Sequence, residues 1–227
     1  MIRIDVVTGF PGIVSGPLRE SILKRALESG RVEVVVHDLR EYAMDRHRTI
    51  DDTPFGGGAG MILKPEPVFA CIEKLKGERT YDEIVYLTAD GERFNQRTAN
   101  GLSMKKNLML LCGHYKGVDE RIRQSLVTRE ISIGDYVLTG GEIPALVVID
   151  TVARLIPGVI GDGESLLTDS FQENLLDGPQ YTKPSEFRGM KVPEILLSGN
   201  HREIAAWRLE QRRKRTEDRR RDLLEQP

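Results

Sequence analysis

The stretch "SIGDYVLTGGE", Ser132 to Glu142, decides how the rest of the chain is read. It begins as a strand, with Ile131, Ile133 and Val137 at alternate, inward positions. It then meets Gly134, Gly140 and Gly141, just where the apolar run "IPALVVID" begins. A core strand has no use for three glycines in eight residues, since glycine weakens a strand and gives it nothing to pack. The glycines therefore predict a close approach of the backbone to something else.

Working outward, strands are expected at Ile2–Thr8, Val32–Leu39, Glu83–Gly91 and Leu108–Gly117, with "REISIGDYVL" (129–138) as a fifth. Helices are expected at Pro17–Gly30, Pro65–Lys76, Gln96–Lys106, Val118–Leu126 and Glu142–Ile156. This alternation predicts a mostly parallel α/β sheet. The unbroken apolar runs "IVYL" and "LMLLC" suit strands covered on both faces. In such sheets ligands bind at the C-terminal strand ends. Three successive strands end in small or polar loops: "TADG", "CGHYKG" and "GDYVLTGG". These loops are expected to come together as one pocket.

Several classes are set aside by composition. The chain has 227 residues, 39% hydrophobic and 30% charged, as expected of a globular protein. No apolar run is long enough to span a membrane. The start, "MIRIDVVTGF", lacks the pattern of a signal peptide. Cys71 and Cys112 are the two cysteines. Isolated in apolar segments, they read as buried thiols of a reducing, cytoplasmic compartment. No Cys/His cluster has zinc-ligand spacing, so no structural zinc site is expected, and no residue is assigned as a metal ligand.

The glycines of "PGVIGDGESLLTD" mark a linker after the apolar helix. This divides the chain into an α/β domain (1–160), a flexible linker (161–169) and a basic helical domain (170–227). Net charge is only −2, yet Arg202 to Arg221 holds nine basic residues against four acidic ones. A polyanion-binding segment explains that asymmetry, and a solvated helix face is the plain alternative. Asn200 is the expected N-cap there, with Ile204, Trp207 and Leu209 as packing residues. "FGGGAG" (55–60) is neither a P-loop nor a dinucleotide fingerprint. It lacks the Gly-Lys-Ser/Thr ending and does not link a strand directly to a helix. Arg154 stands in a nearly all-apolar helix and calls for a specific partner. Asp169 in "TDSFQ" can be a helix cap with Gln172, or a functional carboxylate.

Taken together, "DRHRTIDDTPFGGGAGM", "CGHYKGVDERI", "SIGDYVLTGGE", "IPGVIG", "DSF", "LLDGPQYTKP" and "VPEILLSGNHREIAAWR" resemble the TrmD family of bacterial tRNA (guanine-N1-)-methyltransferases. The motifs follow the family's order over almost the whole chain. The resemblance implies a SPOUT-class α/β fold with a deep C-terminal trefoil knot and a small helical C-terminal domain. It implies S-adenosylmethionine (SAM) as cofactor, and a homodimer with shared active sites. The implied substrate is tRNA, methylated on N1 of the guanosine at position 37. It assigns the cofactor pocket to Tyr86, Leu87, Thr88, Gly113, Tyr115, Ile133, Gly134, Asp135, Tyr136, Val137, Leu138, Gly140, Gly141 and Pro144. It assigns catalysis to Asp169 as general base and to Arg154 as stabiliser of charge on guanine O6. The basic helices near Arg212 to Arg221 would meet the tRNA backbone. The linker resembles a family segment that orders when tRNA binds.

Two departures stand out. Where the family often has Arg-Tyr-Glu, this chain has His114-Tyr115-Lys116. Family members depend on magnesium (Mg2+), and Lys116 cannot ligate it, so magnesium contact would fall to Asp169 or the substrate. The chain also stops soon after its basic helices, which would trim tRNA contacts. The rival readings are a knotted ribose 2′-O-methyltransferase, which needs no carboxylate base, and a non-catalytic RNA-binding relative, which needs no glycine-lined pocket.

Overall fold

The computed structural model describes residues 1–161, 169–171 and 173–225. The chain divides into two compact units, Met1–Gly161 and Asp162–Pro227. Most of the expected linker, 162–168, lies outside the described residues, as does Gln172.

The first unit is built on five parallel strands: β1 (Ile2–Thr8), β2 (Val32–Asp38), β5 (Glu83–Arg93), β6 (Asn107–Cys112) and β7 (Arg129–Ser132). Their order is β2-β1-β6-β5-β7. Each central strand buries side chains on both faces, which is why it reads as an unbroken apolar run. In β6, Leu108, Leu110 and Cys112 join one core, and Met109 and Leu111 join the other. In β5, Val85 and Leu87 face the first core, and Ile84 and Tyr86 the second. Both cysteines are buried free thiols, and burial pushes that of Cys71 up to about 12.

Helices α1 (Pro11–Ser15), α2 (Ser21–Glu28), α4 (Gln96–Ser103) and α6 (Glu142–Ala153) gather on one side, where α6 meets the other three. Helices α3 (Pro65–Glu78) and α5 (Glu120–Leu126) pack together and supply the second core. One polar knot interrupts the sheet. Asp5 is fully buried and accepts hydrogen bonds from Arg3 and from Tyr81 at 2.8 Å, with His37 at 2.7 Å. Burial alone would raise its pKa. The hydrogen bonds to His37, Arg3 and Tyr81 outweigh that, and hold the carboxyl well below the usual range.

Some expected elements differ. The strand over 129–138 stops at Ser132, Ile133 is half-buried, and Val137 is 87% exposed. The Ser132 hydroxyl turns the chain by donating to the Gly134 carbonyl at 3.0 Å, so 133–138 leaves the ladder. β6 likewise ends at Cys112, ahead of its glycines. The helix over 17–30 is broken by Glu20, which is extended, leaving a 3-10 turn (Pro17–Arg19) before α2. The loop 45–63 contains a small antiparallel pair, β3 (Asp51–Asp52) and β4 (Ile62–Leu63).

The second unit holds a hairpin of β8 (Glu186–Phe187) and β9 (Met190–Lys191), then α7 (Glu194–Leu197) and α8 (His201–Arg219). Asn200 caps α8, its side chain accepting from the Glu203 N–H at 3.4 Å. The expected packing residues do little. Ile204 and Trp207 are half-buried, and Leu209 is exposed. The buried face belongs instead to Arg212 and Thr216. The Thr216 hydroxyl accepts from the Leu176 N–H at 2.9 Å, and Arg215 donates to the carbonyls of Asp177 and Gly178. Two of the arginines expected to face tRNA thus hold the unit together.

Candidate functional site

The three loops meet in one cleft at the C-terminal ends of β5, β6 and β7. It encloses about 670 Å³ of empty space, part of it open to solvent. β5 supplies Tyr86, Leu87, Thr88 and Ala89. The loop after β6 supplies Gly113 to Gly117, and the segment leaving β7 supplies Ile131 to Gly134, Tyr136 to Gly141 and Pro144. All the residues expected around a cofactor line this cleft except Asp135, which is exposed beside it. His114, Lys116, Gly117, Ala89, Ile131, Ser132 and Thr139 also line it, though none was assigned to the cofactor. Five of these, Ala89, His114, Lys116, Gly117 and Thr139, lie within the three loops expected to form the pocket, so the signal was available.

The loops are tied to one another. The Gly141 N–H donates to the Gly113 carbonyl at 2.7 Å, and His114 and Gly140 form an antiparallel bridge. Lys116 N–H bonds Met61 O at 3.0 Å, so the "FGGGAG" loop leads into the strand that braces the second pocket loop. A Cβ on Gly141 would lie 2.7 Å from the Cys112 Cα and 3.0 Å from the Gly113 nitrogen. One on Gly113 would lie 2.8 Å from the Tyr86 hydroxyl, and one on Gly140 would strike His114 and Glu142. What the glycines approach so closely is therefore the protein itself. They let one pocket wall lie flat against the next.

Behind that wall sits a buried carboxylate. Glu142 is 2% exposed and accepts from the Thr8 hydroxyl at 2.7 Å. Its other oxygen lies 3.6 Å from His114 Nδ1, and the His114 ring stacks against Phe10 at 4.1 Å. Glu142 thus ties the start of α6 to the end of β1, and lies beside the second loop. Tyr86 is buried, and that burial raises its hydroxyl pKa.

The cleft is lined by aromatic, aliphatic, hydroxyl and glycine residues, with Lys116 and His114 as its basic groups and no carboxylate among the described lining residues. Arg154 does not line it. The residue caps the far end of α6, whose first turn carries Gly141 and Pro144. Thirteen residues at 1.5 Å each put Arg154 about 20 Å from Gly141 along the axis, further than an arginine side chain reaches. Asp169 belongs to the second unit and is half-buried. Among the described residues, no group of three or more His, Cys, Asp or Glu is placed to hold a metal ion. Nor is any helix among them long and apolar enough to cross a membrane.

Comparison with known proteins is direct. The family model of tRNA (guanine-1)-methyltransferase TrmD matches residues 2–226. A tRNA (guanine-N(1)-)-methyltransferase of Chlorobaculum tepidum is 57% identical over 223 residues, 98% of this chain and 97% of that one. Proteins of the same name from Bacteroides fragilis and Flavobacterium psychrophilum are 54% and 53% identical, over 99% of this chain and all of theirs. The cleft thus sits in a chain that belongs to the TrmD family of tRNA (guanine-1)-methyltransferases.

Proposed function

We propose that this protein is a cytoplasmic SAM-dependent methyltransferase acting on N1 of the guanosine at position 37 of tRNA, next to the anticodon. The observation that carries the reading is the three-loop cleft, in a chain of this family. Its residues suit an adenosyl group. Leu87, Ile133, Leu138 and Pro144 offer apolar contact, and Gly113, Gly140 and Gly141 let the loop backbones close up into the wall that carries them. When bound, SAM supplies an electrophilic methyl group, so the protein has to align it and make guanine N1 nucleophilic.

N1 carries a proton at neutral pH. Among the described residues no carboxylate lines the cleft, so the base is drawn from outside that lining, and Asp169 takes that role. As the proton leaves N1, negative charge grows on O6, and Arg154 stabilises it. Guanine reaches the site by leaving its stack. The span of α6 separates Arg154 from the cleft of its own chain, which supports a homodimer whose sites draw on both subunits. The exposed apolar residues Ile143 and Val147 on α6, and Val137 and Leu138 beside it, support the same arrangement. The tight passage of Gly141 over Cys112, and of Gly91, where a Cβ would lie 2.5 Å from the Ile131 nitrogen, supports a SPOUT-type knotted backbone. Exposed Arg213, Lys214, Arg219 and Arg221 remain for the tRNA backbone. Magnesium would be held by Asp169 or the substrate rather than by Lys116.

Asp169→Ala is expected to lower methyl transfer by about 100-fold or more while SAM still binds, measured by single-turnover assay and calorimetry. Near-normal turnover would remove Asp169 as the base. Mixing Arg154→Ala subunits with Gly141→Val subunits should restore activity that neither variant has alone. No recovery in verified mixed dimers would mean that each site uses its own arginine.

A further inference from the structure

The hairpin of the second unit is made to present its tip. Phe187 and Met190 stand directly opposite each other, flanked by the pair Glu186 and Lys191. The ladder continues through the Val192 N–H to the Ser185 carbonyl at 2.9 Å. Arg188 and Gly189 form the two-residue turn, with φ of 52° and 76°. Positive φ at both turn positions is the conformation that matches strand twist, and Asn-Gly is its favoured occupant. An arginine there carries backbone strain that asparagine or glycine would lessen.

Nothing in the fold explains what this tip displays. Every residue from Tyr181 to Lys191 is exposed, with Phe187 56% and Met190 65% accessible. A two-stranded hairpin gains its stability by covering an apolar face, and here the face is left in water. The Arg188 guanidinium lies 5.2 Å from the Phe187 ring centroid. Lys183, Arg188 and Lys191 outnumber Glu186, so the tip is cationic. An exposed aromatic ring beside an arginine, in a positive field, is the chemistry that holds an unpaired base by stacking while cations meet its phosphates.

We propose that the Phe187–Arg188 tip stacks against an unpaired nucleotide of the tRNA substrate, a contact separate from the methylation cleft and from the basic face of α8. The proposal rests on the tRNA-methylating reading above.

The test is a fluorescence-anisotropy titration of a labelled tRNA transcript, without SAM, over a range of salt. Phe187→Ala should weaken binding on the order of tenfold. Phe187→Leu, apolar but unable to stack, should be equally weak, and Phe187→Trp should restore affinity. The slope of log K against log salt should stay constant through these variants and fall by about one for Arg188→Ala. Wild-type affinity in Phe187→Leu would overturn the proposal, as would loss in all three variants. So would unchanged tRNA affinity accompanied by a weakened dimer, which would assign the tip to a second copy of the chain. Failure of the wild-type protein to bind tRNA would instead count against the substrate reading itself.

Discussion

Two glycine-rich stretches lie in the first unit, and they use the residue for opposite reasons. In "FGGGAG", Gly56, Gly57 and Gly58 have φ between 80° and 113°, and a Cβ on any of them would meet nothing within 4 Å. There the demand is conformational: the chain turns where L side chains are strained. In "SIGDYVLTGGE", Gly141 has an ordinary φ of −81°, but a Cβ would lie 2.7 Å from another strand's backbone. There the demand is spatial. The same residue type marks an exposed loop in one stretch and a wall pressed against its neighbour in the other.

Substitutions separate the two demands. Gly141→Val should have the largest effect. It drives side-chain atoms into the Cys112 and Gly113 backbone, costing about 3 kcal/mol or more of stability and abolishing SAM binding. Calorimetric titration and denaturant unfolding read both, and unchanged SAM affinity would refute the pocket assignment. Gly58→Ala should cost about 1–2 kcal/mol through backbone strain alone and leave SAM affinity unchanged. An effect as large as that at Gly141 would erase the distinction. Gly101 lies within α4 with open space around it, so Gly101→Ala should stabilise the protein by about 0.5–1 kcal/mol.

The parallel sheet was legible because strands buried on both faces cannot hide their apolar runs. Chain order also placed three small-residue loops at one edge, and the cleft followed from that. The end of β7 was not legible. Ile133 and Val137 have strand-like spacing, and only the Ser132 hydroxyl bond to Gly134 shows that the chain has already turned. The tie from Thr8 to Glu142 joins residues 134 positions apart, a distance at which no local pattern exists. In the basic helix the composition was plain but its use was not. Arg215 is occupied by two carbonyl groups, and backbone acceptors leave no trace in a side-chain pattern. Arg154 shares a helix with Gly141 and Pro144, yet the length of α6 places it at the opposite end.

Methyl transfer from SAM to guanine N1 beside the anticodon leaves a label that can be mapped. Incubating the protein with methyl-labelled SAM and a tRNA transcript carrying guanosine at position 37, then digesting and mapping the labelled nucleoside, tests it most directly. The account predicts label in 1-methylguanosine at position 37, and none when that guanosine is replaced by adenosine. Label in a ribose 2′-O-methyl group, or persisting after that replacement, would contradict it.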